Sequence, residues 1–425
     1  MKSCKEEISC PSTALHCTFS QDIERLADKL KQDLIASSTH PFNKKILITP
    51  SQPIKDYLID FLAKELGIVT GIQFLSLKQA INEWLFSFGK KIPDSIEISL
   101  VLEEIIEQSW QKEEMSKLYS YIACEEESKR SKRMIGLSDH LSNIFEEYGT
   151  YGLHFLPAWT KKPGWQQTLW NQIFSSHPNW TYPLDAAKFL QTQNKSIFVF
   201  GFSFLPLSYL QILKQVGALF YFFSPCELFW EDVHTDRERS YLRKKLAQRG
   251  ISIEKREELN HYDAAAHPLL ANWGKLGRAF LKNLDLFSLT STEIYKLKKE
   301  NTNLQKLQEQ ILYFERTEPI SQADSSLQLH SAPTKLREVE VLFDTLLTLI
   351  QKKSITLDQI IVLAPDITIY APYIELIFAN HPLPYTIENL PIFSNSAAHW
   401  FLLLKKVLDE NFSLNSIYAL LDETI

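Results

Sequence analysis

Apolar positions along the first ninety residues alternate between short runs and helical spacings. The run Ala14–Thr18 is followed by Ile23, Leu26, Leu30, Leu34 and Ile35, which lie on one face of a 3.6-residue period. Lys45–Thr49 (KILIT) is short and β-branched and predicts a buried parallel strand. Ile54, Leu58, Phe61 and Leu62 then mark a helix, Ile68–Phe74 a further strand, and Leu77–Phe88 another helix. From about 92 to 193 the strand signal is lost. Leu100, Leu102, Ile105, Ile106 and Trp110 recur at helical spacing, as do Leu137, Leu141, Ile144, Phe145 and Tyr148, and later Trp165, Leu169, Ile173 and Phe174. Strands return at Ser196–Phe200 and Leu219–Phe223, with a helix over Leu205–Val216 between them.

The pattern is therefore α/β, with a helical insertion inside the first unit. It divides the chain into 1–91 (the start of a first α/β domain), 92–193 (the insertion), 194–320 (the rest of that domain and connecting helices) and 321–425 (a second α/β domain). The 194–320 part includes a polar helical stretch, Asp236–Arg249. In the last part, strands are expected at Leu327–His330 and Gln359–Leu363, flanking an amphipathic helix through Val339, Leu342, Phe343, Leu346, Leu347 and Ile350. A helix over His399–Leu408 carries Trp400–Leu404, apolar nearly all round, and such a helix needs partners on several sides. With so few strands, the second sheet is expected to be incomplete within this chain.

Composition narrows the classes. The chain has 425 residues, 45% hydrophobic and 23% charged, which is ordinary for a globular protein with a large core. A net charge of −6 lacks the basic footprint of a free-standing nucleic-acid binder, so any such contact must be local or made within an assembly. Five cysteines at irregular spacing (Cys4, Cys10, Cys17, Cys124, Cys226) read as reduced thiols, with zinc on the first three as the alternative. The N-terminus has no apolar core of a signal peptide and no apolar run approaches the ~18 residues of a membrane span. The expectation is a cytoplasmic protein with no membrane association.

Two α/β units with an insertion suggest the layout of a nucleotide-driven motor, which would require a phosphate-binding loop after the Lys45–Thr49 strand. The residues there are Pro50-Ser51-Gln52-Pro53-Ile54-Lys55, without glycine, and two prolines remove N–H donors. A metal-holding carboxylate is also wanted after a later strand, and Phe198–Ser203 offers none. No nucleophile–base set, paired-histidine metal spacing or G-x-S-x-G turn is present, and Glu125–Glu127 reads as a solvated charge run. Two basic clusters, Lys129–Arg133 and Arg243–Lys245 with Arg249, have the charge to meet phosphate or simply to face solvent. The glycines of Pro268–Arg278 (PLLANWGKLGR) are wrongly spaced for a phosphate loop, and Ser331–Glu340 falls where an α/β sheet presents its ligand edge.

Several of these stretches resemble the gamma chain of exodeoxyribonuclease V, the RecC family. They are Pro268–Arg278, His330–Leu342 (HSAPTKLREVEVL), Phe200–Pro206 (FGFSFLP), Ser224-Pro225-Cys226 with Trp230, and Leu383-Pro384-Tyr385, in the family's order from about residue 14 onward. The resemblance implies degenerate superfamily 1 helicase-like, P-loop-type sheets without ATPase residues. It implies a non-catalytic subunit that assembles with the beta (RecB) and alpha (RecD) chains and channels single-stranded and forked DNA during double-strand-break repair by recombination. No cofactor is implied for this chain; ATP and magnesium would be used by the partner chains. It further implies a second domain and a C-terminal portion beyond this chain's length. A split or nonfunctional fragment, or a free-standing enzyme with an unrecognised site, stand as alternatives.

The family's strand-reading positions carry over one at a time. Thr49, Ser51 and Lys55 after the first predicted strand, Asn143 and Glu146 in the insertion, and Arg337 in the second unit are the candidate DNA contacts. Ser76 and Asn82 stand where leucine and tryptophan are expected, with Trp84 nearby, and Gly152 and Tyr182 where arginines are expected. The departures imply either no reading of a recombination hotspot or the reading of a different sequence.

Overall fold

The computed structural model describes residues 14–37, 44–111, 115–159, 164–190, 196–228, 230–248, 267–297, 302–314, 324–352, 355–379, 381, 383–388, 390 and 396–422. These fall into two compact units, one within Met1–Ala323 and one within Asp324–Ile425.

The first unit is built on a six-stranded sheet, parallel throughout, in the order β3-β2-β4-β5-β1-β6. Its strands are β1 (Leu15–Ser20), β2 (Lys45–Ile48), β3 (Ile72–Leu75), β4 (Ile197–Phe200), β5 (Leu219–Phe223) and β6 (Leu289–Glu293). Central strands of such a sheet are covered on both faces and so read as continuous apolar runs. In β4, Ile197 and Val199 enter one core while Phe198 and Phe200 enter the other, and β2 and β5 alternate in the same way. One face is covered by α1 (Ile23–Ala36) and α2 (Gln52–Leu66), through Leu26, Leu30, Leu34, Leu58 and Leu62. The other is covered chiefly by α3 (Leu77–Phe86) and, further along the chain, by α10 (Leu207–Val216), through Ile81, Leu85, Leu210 and Leu213.

Between β3 and β4 the chain is helical. It forms α4 (Ser95–Ser109), α5 (Ser116–Ile122), α6 (Glu127–Tyr151), α7 (Leu156–Trp159), α8 (Trp165–Ser176) and α9 (Pro183–Ala186), around a core of Leu102, Ile106, Leu141, Phe145, Leu169 and Trp170. After β5 come α11 (Asp236–Gln248), α12 (Pro268–Trp273), α13 (Lys275–Leu284), β6 and α14 (Asn303–Leu312). Strand β6 (LTSTE) escaped the periodicity reading because it is polar and, beyond its first residue, exposed: it is an edge strand held by β1. Strand β3 starts at Ile72 rather than Ile68, after a turn through Gly71 at φ +74°.

The second unit departs from expectation. It contains α15 (Lys335–Gln351), α16 (Ile367–Phe378), α17 (Ser396–Asp409) and α18 (Leu414–Asp422), with Val339, Phe343, Leu346 and Phe378 as its core. The two segments expected as strands, Leu327–His330 and Gln359–Leu363, pair with no strand among the described residues. Leu329, Ile361 and Leu363 are 95%, 80% and 83% exposed, so their apolar character finds no second face to cover. In α17, Trp400, Phe401 and Leu408 are exposed while Val407 is buried.

Cys17 is a buried residue of β1, and burial pushes its thiol up to about 12. Cys4, Cys10 and Arg249 lie outside the described residues. Among the described residues, no group of three or more histidine, cysteine or carboxylate side chains is placed to hold a metal ion, and no helix is long and apolar enough to cross a membrane.

Candidate functional site

In a parallel α/β sheet, ligands bind beyond the carboxyl ends of the strands, where neighbouring strands send their chains in opposite directions. Here that point lies between β2, whose chain continues to the outer strand β3, and β4, whose chain continues to β5. Thr49 follows β2 directly. It is buried, and its N–H donates to the Leu75 carbonyl (3.2 Å) at the end of β3. Gly201 follows β4 at φ +79°, and a Cβ there would stand 3.1 Å from Ile54 Cδ1 and 3.2 Å from Ile54 Cγ2. The Ile54 side chain therefore lies against Gly201 in the crevice between the ends of β2 and β4. Ser51 occupies the N-cap of α2 without using its hydroxyl to cap, and Pro53 withholds an N–H from the first turn. Exposed Ser51 and half-buried Lys55 remain available above the crevice, with Lys55 N–H donating to the Ser51 carbonyl (3.2 Å).

Beside β2, the end of β3 leads into α3 through a reciprocal cap. Ser76 Oγ accepts from Gln79 N–H (3.4 Å) and Gln79 Oε1 accepts from Ser76 N–H (3.0 Å). Lys78, in the first turn of α3, lies 3.0 Å from Glu146 Oε1 of α6, with each side chain about one-third exposed. One turn along α6, Thr150 Oγ1 donates to the Glu146 carbonyl (2.9 Å), and Thr150 also bonds the Tyr209 hydroxyl of α10. Burial pushes the Tyr209 phenol up to about 12, so it stays protonated. Lys78, Glu146, Thr150 and Tyr209 thus form one polar junction. Its members Lys78 and Tyr209 were not singled out from the sequence, because only the packing of α3, α6 and α10 brings them to Glu146.

The other sequence candidates separate. Asn143 is exposed on α6 and its Nδ2 donates to the Asp139 carbonyl (2.9 Å). Arg337 belongs to the second unit, in the first turn of α15 behind its Thr334 cap, 2.7 Å from Glu340 Oε2. Asn82 uses both ends of its amide on Ile92, donating to its carbonyl (3.2 Å) and accepting from its N–H (2.7 Å), which fastens the turn before α4. Trp84 is core at 5% exposure and presents no ring face to a base. Gly152 ends α6, where a Cβ would lie 2.8 Å from Leu156 Cγ, and Tyr182 packs its ring against Trp170 and Phe174 (5.1 and 5.3 Å between centroids). Gly152 is thus closed off by Leu156, and the Tyr182 ring is part of an aromatic cluster.

Two of the motifs quoted above meet in one structural clamp. Cys226, Trp230 and Val233 pack with Leu270, Ala271 and Phe314, and Trp230 Nε1 donates to Ser224 Oγ (3.4 Å). Gly274 and Gly277 both lie under the Trp230 indole, which leaves no room for a Cβ. Arg278, 6% exposed, donates to the Val233 carbonyl and to Glu238 of α11 (3.2 Å). The glycines of Pro268–Arg278 therefore seat a tryptophan.

Comparison with protein families matches residues 15–314 to the family described as RecC, N-terminal domain. Among curated proteins, the chain is 26% identical over 90% of its length to RecBCD enzyme subunit RecC of Haemophilus influenzae, covering 41% of that protein. It is likewise 26% identical over 90% of its length to the subunit of the same name from Escherichia coli K12, covering 40% of it. With the Mycolicibacterium smegmatis subunit it shares 25% identity over 85% of its length and 34% of that protein. The chain spans about two fifths of the length of the first two of these relatives.

Proposed function

Given that the chain belongs to the RecC N-terminal domain family, we propose that it serves as a non-catalytic, DNA-handling part of a RecBCD-type helicase–nuclease acting in recombinational repair of double-strand breaks. The observation that carries this reading is the match over residues 15–314 together with the crevice in which Ile54 lies against Gly201. A sheet of motor-like layout whose turn after β2 has two prolines and no glycine is suited to guiding a strand and unsuited to hydrolysing a nucleotide. We read the sheet as a degenerate relative of P-loop helicase domains, the helical block 92–193 as its insertion, and 321–425 as belonging to a second such domain.

On this reading the chain assembles with RecB-type and RecD-type chains, which use ATP and magnesium, and itself needs no cofactor. Single-stranded or forked DNA passes the carboxyl edge of the sheet, where Thr49, Ser51 and Lys55 stand beside the Lys78–Glu146 junction. Asn143 and Arg337 are the remaining proposed contacts. The test is co-expression with the two partner chains, followed by co-purification and binding of forked DNA. Recovery of a complex that protects the fork supports the reading. DNA-stimulated ATP hydrolysis by the purified chain alone would overturn it.

A further inference from the structure

On the helical block, the end of α4, α5 and the start of α6 bring two aromatic rings under two guanidinium groups, with a third ring stacked on one of them. Trp110 and Tyr119 stack at 5.4 Å between centroids and 16° between planes. The Arg130 guanidinium lies over Trp110 at 5.9 Å, and that of Arg133 over Tyr121 at 5.8 Å. Arg133 Nη1 also donates to the Tyr121 carbonyl (3.0 Å), which fixes its plane. Arg130 and Arg133 are three apart and share one helix face. The rings remain accessible, Tyr119 at 49% and Tyr121 at 51% exposure, so each presents π-surface to solvent.

Charge at this place is divided. Lys129 pairs with Glu126 (2.6 Å) and Arg130 with Glu127 (3.5 Å), which neutralises those two cations. Lys132 and Arg133 are exposed, and no carboxylate among the described residues pairs with either. Exposed rings next to two uncompensated cations, in a chain of net charge −6, suit a ligand with flat faces and a phosphate backbone.

We propose that Tyr119, Tyr121, Lys132 and Arg133 form a sequence-independent contact for single-stranded nucleic acid, separate from the sheet edge. A base stacks on the open face of Tyr121, and Lys132 and Arg133 hold the flanking phosphates. The assignment shares its partner class with the DNA-handling reading but not its residues.

The experiment measures binding of a fluorescein-labelled dT20 oligonucleotide to the full 425-residue chain over a salt series, for the parent, K132E/R133E, Tyr121→Leu and Lys78→Gln, with each variant's thermal melt checked. Tyr121→Leu keeps the backbone carbonyl that Arg133 uses, so it removes the ring alone. The expected result is roughly tenfold weaker binding for Tyr121→Leu. For K132E/R133E, binding is expected to weaken at least as much, with a salt slope shallower by about two. Parent-like binding by both patch variants, with loss only in Lys78→Gln, overturns this surface and leaves the sheet-edge reading in place. No binding by the parent at low salt overturns this surface, as does equal competition by polyglutamate and unlabelled dT20; the sheet-edge reading is decided separately, on the complex with the partner chains.

Discussion

The indole of Trp230 occupies the space that a side chain on Gly277 would need: a Cβ there would stand 2.5 Å from Cη2 and 3.1 Å from Cζ2. The contact ties the loop after β5 to α13, and so joins two stretches far apart in sequence. Gly277→Ala should therefore destabilise the first unit, although alanine favours a helix by about 1 kcal/mol over glycine. Overpacking costs typically about 1–3 kcal/mol, so a net loss is expected. The atoms in conflict belong to the six-membered ring of the indole, part of which phenylalanine lacks. The pair Gly277→Ala with Trp230→Phe should lose less stability than the two single changes added together, as read from urea midpoints. Additive losses would show that the clash is relieved elsewhere.

A second prediction concerns the ion pair beneath that clamp. Burial pushes the Glu238 carboxyl up, but the Thr235 N–H and the Arg278 guanidinium outweigh it and hold the group below its ordinary range. A depressed carboxylate contributes stability above its unfolded value, and that stability is lost as pH falls through the folded value. Arg278→Leu should cost on the order of 2 kcal/mol at pH 7, a figure reduced for the partial exposure of Glu238. Arg278→Lys should not restore the loss, since a single ammonium cannot serve both Glu238 and the Val233 carbonyl. Midpoints at pH 7 and pH 3 decide the matter: the gap between parent and Arg278→Leu should narrow at the lower pH.

How much of this was legible beforehand differs by element, for physical reasons. Strands β2, β4 and β5 are visible in sequence because both of their faces are buried, which makes them apolar throughout. Strand β6 was invisible because an edge strand can be polar, and Ile361-Val362-Leu363 misled because strand formation requires a partner as well as an apolar run. The position of Thr49 and Ser51 just after a strand is legible from the local pattern, whereas their candidacy as strand contacts comes only from the resemblance. Lys78 and Tyr209 carry no local signal, since their role comes from helices meeting across the insertion. Trp84, notable in the sequence only for standing near Asn82, is core, a placement that helical spacing alone does not decide.

The polar junction at the sheet edge gives a third test. Lys78 and Glu146 sit 3.0 Å apart and partly exposed, so their pairing should contribute no more than about 0.5 kcal/mol to stability. Its larger effect would be on ligand charge, because Glu146 neutralises the Lys78 cation. Glu146→Gln should leave the melting temperature nearly unchanged and tighten single-stranded DNA binding about two- to threefold at low salt, with the gain disappearing at high salt. Lys78→Gln should weaken binding by a similar factor. If neither change alters binding while the parent binds DNA, the strand does not pass this edge.

The last prediction separates one carboxyl from the rest by its pH window. Glu231, next to Trp230, is pushed up to about 7 from an ordinary value of 4.5. Burial is the largest cause, followed by a hydrogen bond and charge repulsion from Asp285, with Asp232 adding to it and Lys282 opposing. Between pH 4.5 and about 7 the folded chain thus holds a proton that the unfolded chain has released. The sign is fixed by that difference: when the folded state binds more protons, stability falls as pH rises. Glutamine at this position stays neutral and can still donate to Asp285. Glu231→Gln should therefore match the parent near pH 5 and melt higher at pH 8, with the gap opening between pH 5 and 7. Glu238 titrates lower and does not contribute to this window. A constant offset between parent and variant across pH 5 to 8 would show that the carboxyl does not retain its proton in the folded chain.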